Sequence, residues 1–177
     1  MNPLAVMKPS LFTNSRKAAK LNTIAHYLRP EDILLDTDAS SKPELLDTIG
    51  RHMERAHSLP RESVSPSLAR REQLGSTGLG QGVAIPHARV KDLNRILVAY
   101  LRMKSPIPYD APDGEPVSEI LVLMVPKQAT EEHLRILADA SRMFANRQFR
   151  RRLRQCSDPQ AVKQLFDAWS GSPSWLH

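Results

Sequence analysis

Four of the chain's seven glycines, Gly75, Gly78, Gly80 and Gly82, fall within eight residues, inside the stretch REQLGSTGLGQGVAIPHARV (71–90). Such a density ends any helix and demands a turn, because glycine weakens regular elements and tolerates backbone angles that other residues avoid. Before it, SVSPSLARREQ (63–73) reads as a short helix with Val64 and Leu68 inward. After it, GVAIPH reads as a short buried strand that Pro86 stops, leaving His87 at its end.

The rest of the chain alternates between the same two kinds of element. EDILLDT (31–37) suits a strand. SKPELLDTIGRHMERA reads as a helix, with Ser41 and Glu44 as a capping box, Pro43 in the first turn, and Leu45, Leu46, Ile49 and Met53 on one face. RILVAYLRM (95–103) and SEILVLMVP (118–126) are strands, separated by the proline-rich loop 105–117. TEEHLRILADASRMFAN follows as a helix capped by Thr130, with Leu134, Leu137, Ala138 and Ser141 on a shared face and His133 at its N-terminal edge. A basic helix, RQFRRRLRQ, starts after a break near Asn146, and a last helix begins around Ser157, Pro159 and Gln160. Helices and strands mix with short connections and no strict βαβ repeat. The expected class is a single α/β domain over residues 21–177, a mixed β-sheet flanked by helices, preceded by a flexible basic extension over residues 1–20.

Charge and composition exclude several classes. The net charge is +6, but residues 1–30 hold five basic residues without an acid and residues 140–157 hold six arginines without an acid. The basic character is therefore two patches on a slightly acidic body. No zinc-finger spacing or RNA-binding aromatic signature accompanies them, so nucleic acid is not the expected partner. The patches read either as a tail and a solvated helix face or as a docking surface. No window approaches the length of an apolar membrane span, the N-terminus is a poor signal peptide, and the single Cys156 precludes an internal disulfide framework. A cytoplasmic protein without membrane insertion is the expectation.

The chemistry centres on the glycine stretch. On its own, Gly78-x-Gly80-x-Gly82 is either a plain turn or an anion-binding nest of backbone amides. It is not a P-loop, since no Gly-Lys-Ser/Thr ends it, nor a dinucleotide fingerprint. Around it stand Ser76 and Thr77 as hydroxyl donors, Arg71 as a planar fork for phosphate, and His87. Neutral histidine is a nucleophile, and its reference pKa near ~6.5 makes that form abundant at neutral pH. His133, in the first turn of a helix, lies where amides and dipole favour anions. Each residue also has a structural reading, as a satisfied strand-end histidine, a helix cap or an ion-pair partner. A metallohydrolase built on His87 and His133 lacks a third ligand at metal-site spacing, so neither metal nor cofactor is expected. His26, His52, His57 and His177 receive no role.

The string RREQLGSTGLGQGVAIPHARV closely resembles the active-site segment of fructose/mannitol-type enzyme IIA domains of the bacterial phosphoenolpyruvate-dependent phosphotransferase system, above all their nitrogen-regulatory branch. YLRPEDILLDTDASSKPELLDTIGRHM, PIPYDAPDGEPVSEILVLMVP and HLRILADASRMF extend the likeness from about Leu28 to about Trp169. The resemblance implies the type-2 enzyme IIA fold and a phosphohistidine relay protein, with His87 phosphorylated, Arg71 and His133 flanking it, and Ser76, Thr77, Gly78, Gly80 and Gly82 as weaker phosphate-binding candidates. It implies a histidine-containing phosphocarrier protein as donor, and regulatory targets such as sensor kinases or potassium transporters. The alternatives are a sugar-transport component passing phosphate to a separate IIB protein, and a non-catalytic regulatory binding module. The basic extension and the run Arg147 to Arg154 depart from the family pattern.

Overall fold

The computed structural model describes residues 22–128 and 131–171. The extension expected over residues 1–20, and the cap assigned to Thr130, lie outside the described residues. The elements run α1 (Thr23–Tyr27), β1 (Leu28–Thr37), α2 (Lys42–His57), α3 (Arg61–Gln73), β2 (Gly78–Gly80), β3 (Val83–Ala84), β4 (His87–Val90), β5 (Leu97–Ile107), β6 (Val117–Pro126), α4 (Glu131–Ala145), α5 (Arg147–Gln155) and α6 (Pro159–Asp167).

One mixed sheet organises them, in the order β1-β5-β6-β3-β2, with β4 also paired to β6. β5 and β6 are antiparallel, whereas β1 runs parallel to β5 and both β3 and β4 run parallel to β6. Side chains alternate across the sheet with a period of two. Ala99, Leu101, Ile120, Val122 and Met124 join Leu45, Ile49, Met53, Val64 and Leu68 of α2 and α3 in one core. Val98, Tyr100, Leu121, Leu123 and Val125 join Ile136, Met143, Phe149, Val162 and Phe166 of α4, α5 and α6 in the other. With both faces covered, the central strands have no polar side to present, which is why ILVLMV reads as an unbroken apolar run.

Local chemistry sets most boundaries. The Ser41 hydroxyl caps α2 by accepting from the Glu44 amide at 3.3 Å, but the Glu44 carboxylate reaches the Ser40 amide and hydroxyl rather than closing the box on Ser41. Asn146 caps α5 by accepting from the Phe149 amide at 2.9 Å, as the expected break requires. The cap of α6 is Asp158, which accepts from the Ala161 amide at 2.9 Å, one residue beyond the Ser157 that the sequence suggested.

Three further expectations change. The strand β5 runs on to Ile107, into the segment read as loop. The inward face of α4 is His133, Ile136, Ala140, Met143 and Phe144, while Leu134 stands 66% exposed. The stripe carrying Ile, Met and Phe buries more apolar area than the one through Leu134, and area decides which face turns in. Finally, the strand expected over 82–87 is two strands. Pro86 has no N–H to give the ladder. Its carbonyl accepts from the Leu123 amide at 3.0 Å, and β4 resumes beside β6 with His87 opposite Leu123. His87 therefore opens a strand rather than ending one.

Candidate functional site

His87 leaves the sheet half-buried at this interruption. Its Nδ1 lies 2.8 Å from the Ile85 carbonyl oxygen. A carbonyl only accepts, so Nδ1 carries the proton and the lone pair of the neutral ring sits on Nε2. Arg71, in the last turn of α3, donates its Nε–H to that nitrogen at 3.2 Å. The same guanidinium donates from an Nη to the Gly75 carbonyl at 2.8 Å, so its plane is held at two points. The fork geometry suits arginine and not lysine.

His133 comes from the far side of the sheet's end, from α4, and its ring centroid lies 5.5 Å from that of His87 at an interplanar angle of 58°. It is buried, and neither of its ring nitrogens has a hydrogen-bond partner among the described residues. Burial pulls both histidines below their ordinary pKa. For His87 the Arg71 charge adds to the fall, against the opposing effects of the Ile85 carbonyl and Glu72. For His133 the neighbouring His87 and Arg89 add to it. The pair is therefore neutral at physiological pH, with one nitrogen able to attack and a cation beside it.

The glycine stretch does something other than expected. It forms the hairpin of β2 and β3, with Gly78 opposite Ala84 and Gly80 opposite Val83. The turn takes Gly80, Gln81 and Gly82 through φ of +89°, +58° and +78°, so glycine is required there for the turn itself. The Gly82 carbonyl pairs with the amides of Ser118 and Glu119, four residues along β6 from the Leu123 that faces His87. At ~3.3 Å per residue that is roughly 13 Å away. Gly80 and Gly82 are thus hairpin residues, not part of a cradle at His87. Gly78 is set by packing: a Cβ there would lie 2.9 Å from that of Ala111.

The two hydroxyls are engaged as well. Ser76 donates to the Tyr109 carbonyl at 2.8 Å and accepts from the Gly78 amide at 3.1 Å. Thr77 donates its hydroxyl to Glu72. Each hydroxyl has one proton, and it is already given. Of the side chains the sequence singled out, Arg71 and His133 are the ones brought to His87.

The sequence showed Glu72 only as a neighbour of Arg71, and gave no sign of Tyr109 or Lys42. Glu72 collects the Thr77 amide and the Lys42 ammonium at 3.2 Å each, and the Tyr109 hydroxyl at 3.0 Å, alongside the Thr77 hydroxyl. This buried carboxylate ties the hairpin to the end of α3 that carries Arg71. Burial and the adjacent Glu72 charge push the Tyr109 hydroxyl far up, so it stays a donor.

A second polar cluster joins residues to which the sequence assigned no role. His52 and His57 of α2 donate from Nε2 to Asp32 Oδ1 at 2.7 and 2.8 Å. Arg95 donates to His57 Nδ1 at 3.1 Å. The three ligand-type atoms lie within 4.8 Å of one another. A metal-bound histidine gives its second N–H to an acceptor, and the guanidinium beside His57 has none to offer. The set fits a hydrogen-bonded clamp between β1 and α2 rather than a cation site.

Comparison with known proteins bears on this geometry. The family described as phosphoenolpyruvate-dependent sugar phosphotransferase system, EIIA 2, matches residues 26–169. A nitrogen regulatory protein of Pseudomonas aeruginosa is 37% identical over 145 residues, 80% of this chain and 93% of that protein. The crystal structure of nitrogen regulatory protein IIA-Ntr from Neisseria meningitidis superposes with a TM-score of 0.77 at 40% identity, covering 81% of this chain and 99% of that one. The mannitol enzyme IIA of Escherichia coli, solved in complex with phosphorylated mannitol enzyme IIB, shares the fold with a TM-score of 0.68 at 17% identity, covering 80% of this chain and 99% of that one.

Proposed function

Because the chain belongs to the enzyme IIA type-2 family of the sugar phosphotransferase system, and is a phosphohistidine-carrying regulatory protein of the nitrogen-regulatory kind, we propose that His87 takes up the phosphoryl group at Nε2. The observation that carries this is the Ile85 carbonyl at Nδ1. It directs the lone pair of a neutral, half-buried ring toward Arg71 and the open nitrogens of His133.

The reaction is an in-line transfer from the phosphohistidine of a phosphocarrier protein. The new bond joins His87 Nε2 to phosphorus, and the bond to the donor's ring nitrogen breaks with its electron pair returning to that ring. The proton stays on His87 Nδ1, donated to the Ile85 carbonyl throughout, so no general base is needed. Charge spreads over three equatorial oxygens as the group passes. The Arg71 Nε–H, released from Nε2 when that nitrogen bonds phosphorus, is then free to turn to those oxygens. His133 supplies an N–H from the other side. The donor's docking surface is supported by Leu74, 85% exposed three residues after Arg71, and by Leu134, next to His133. Exposed apolar side chains beside a polar centre fit the core of a protein interface.

Phosphorylation adds close to two negative charges at this point, and regulatory targets such as sensor kinases or potassium transporters would respond to them. No helix among the described residues is long and apolar enough to cross a membrane, and the reading places the protein in the cytoplasm, where its donor resides. The test is incubation with phosphorylated carrier protein. Acid-labile label should appear on wild-type protein and vanish in His87→Ala, with nitrogen–phosphorus coupling at Nε2. Wild-type labelling of His87→Ala, or coupling at Nδ1, would overturn the reading.

A further inference from the structure

The arginine run of α5 takes no part in the site around His87. Arg147, Arg150, Arg151 and Arg154 recur at i, i+3, i+4 and i+7, so they share one helix face. With Gln81 of the β2–β3 turn they line a cavity of about 560 Å³. Arg150 is buried, its guanidinium fixed on the Phe144 carbonyl at 2.6 Å. Arg154 donates to the Gln81 carbonyl at 3.2 Å and lies 3.7 Å from the buried carboxylate of Glu119. Among the described residues Glu119 is the only carboxylate in ion-pair contact with any of the four. Arg147 and Arg151 are exposed, with no hydrogen bond or ion pair to a described residue.

Four positive charges thus face one negative charge across a concave space. Like charges one turn apart on a helix repel, and while Arg150 and Arg154 have partners in the fold, no contact among the described residues calls for the two exposed charges of Arg147 and Arg151. An anion in the cavity would resolve the repulsion. Guanidinium forks match phosphate oxygens two at a time, and the volume lies in the range of small-ligand sites. No aromatic ring lines the cavity, so nothing there would stack on a nucleobase. We propose that the cavity binds a small oligophosphate, a pyrophosphate or tripolyphosphate group, free or as the tail of a nucleotide. It is distinct from the phosphoryl site, which lies roughly 13 Å along β6.

The test is calorimetric titration of the full chain at 0.15 M salt with pyrophosphate, tripolyphosphate, ATP and a single-stranded oligoribonucleotide. Tripolyphosphate and ATP should bind within a fewfold of each other, since only the phosphates are recognised; equal binding separates the tail from any base contact. Arg147→Ser with Arg151→Ser should raise Kd about tenfold or more, and Arg71→Ser should leave it unchanged. Both replaced arginines are exposed, so the thermal transition should not move. Amide resonances of Gln81 in the wild-type protein provide a readout independent of any variant, and should shift on titration. The proposal fails if no oligophosphate saturates the protein or if Gln81 does not shift. It also fails if affinity survives the double substitution or is lost with Arg71. Binding of the oligoribonucleotide that strengthens with its length and displaces tripolyphosphate would instead make this face a nucleic-acid surface.

Discussion

Replacing Glu72 by glutamine tests the claim that one buried carboxylate holds the hairpin against α3. Its side chain is 5% exposed. One oxygen accepts from the hydroxyls of Thr77 and Tyr109, the other from the Thr77 amide and the Lys42 ammonium. All four partners are donors. Glutamine has the same shape but only one oxygen; with that oxygen kept on the Thr77 amide and the Lys42 ammonium, its NH₂ group faces the two hydroxyls, which must turn round to accept from it. Hydrogen bonds to a charged group contribute about 1.5–3 kcal/mol each. Here all four lose their charged acceptor, two of them must reverse direction, and the Lys42 ammonium loses its buried counter-charge. The four share one acceptor and do not add, so the total is about 3–5 kcal/mol, the range for breaking a buried ion pair. At about 2–4 °C per kcal/mol for a chain of this size, Tm should fall by roughly 6–20 °C. A calorimetric melt at pH 7 measures it. Thr77→Val removes one of the donors facing the amide, so the double variant should cost less than the sum of the singles by about 1 kcal/mol. A fall in Tm of only a degree or two for Glu72→Gln, or strictly additive costs, would show that the network does not hold the loop.

Arg71→Lys should slow phosphoryl uptake by His87 about tenfold to a hundredfold with Tm nearly unchanged, because a single ammonium cannot meet His87 Nε2 and the Gly75 carbonyl together; rapid-quench labelling measures it, and a loss under threefold would count against the clamp. Since His87 and His133 both have lowered folded pKa values, the neutral nucleophile persists as pH falls below about 6.5. The acid limb of the uptake rate should have its midpoint below that value, and a midpoint above it would contradict the burial argument. The same two shifts remove stability as pH falls from about 6.5 through the folded values. Asp32 shifts in the same direction for a different reason: burial pushes its carboxyl up, but the bonds from His52 and His57 outweigh it and leave the folded pKa lowered. Its contribution is present above about pH 4 and lost as pH falls through the folded value. Urea titrations should show that slope in the wild type and not in Asp32→Asn; equal slopes would mean that the histidine bonds do not favour the charged form.

Local signals served well where neighbours in the chain decide the outcome. The cap at Ser41, the break at Asn146 and the inward faces of α2 and α3 each depend on residues within a turn or two. The β4 strand was not legible because four residues after a proline carry too little pattern, and only the open edge of β6 makes them a strand. The glycine stretch was legible as a turn, yet its direction was not. Whether Gly80 and Gly82 lie at His87 or far from it depends on where the hairpin registers against Glu119 and Ile120.

By itself, then, the chain's order of residues determined the mixed α/β class and the chemical types at the site, an arginine ending a helix, a histidine after a proline and a second histidine opening a later helix. The tertiary structure alone decided that His133 stands 5.5 Å from His87, that the Ile85 carbonyl selects the tautomer, and that Ser76 and Thr77 spend their protons elsewhere. It also brought Asp32 to His52 and His57, and closed the arginines of α5 over Gln81. The physical reason is range. Propensity, caps and periodicity report on residues within one or two helical turns, whereas hydrogen-bond partners and burial are set by which strands pair and in which register, and those pairings join segments that no local pattern relates.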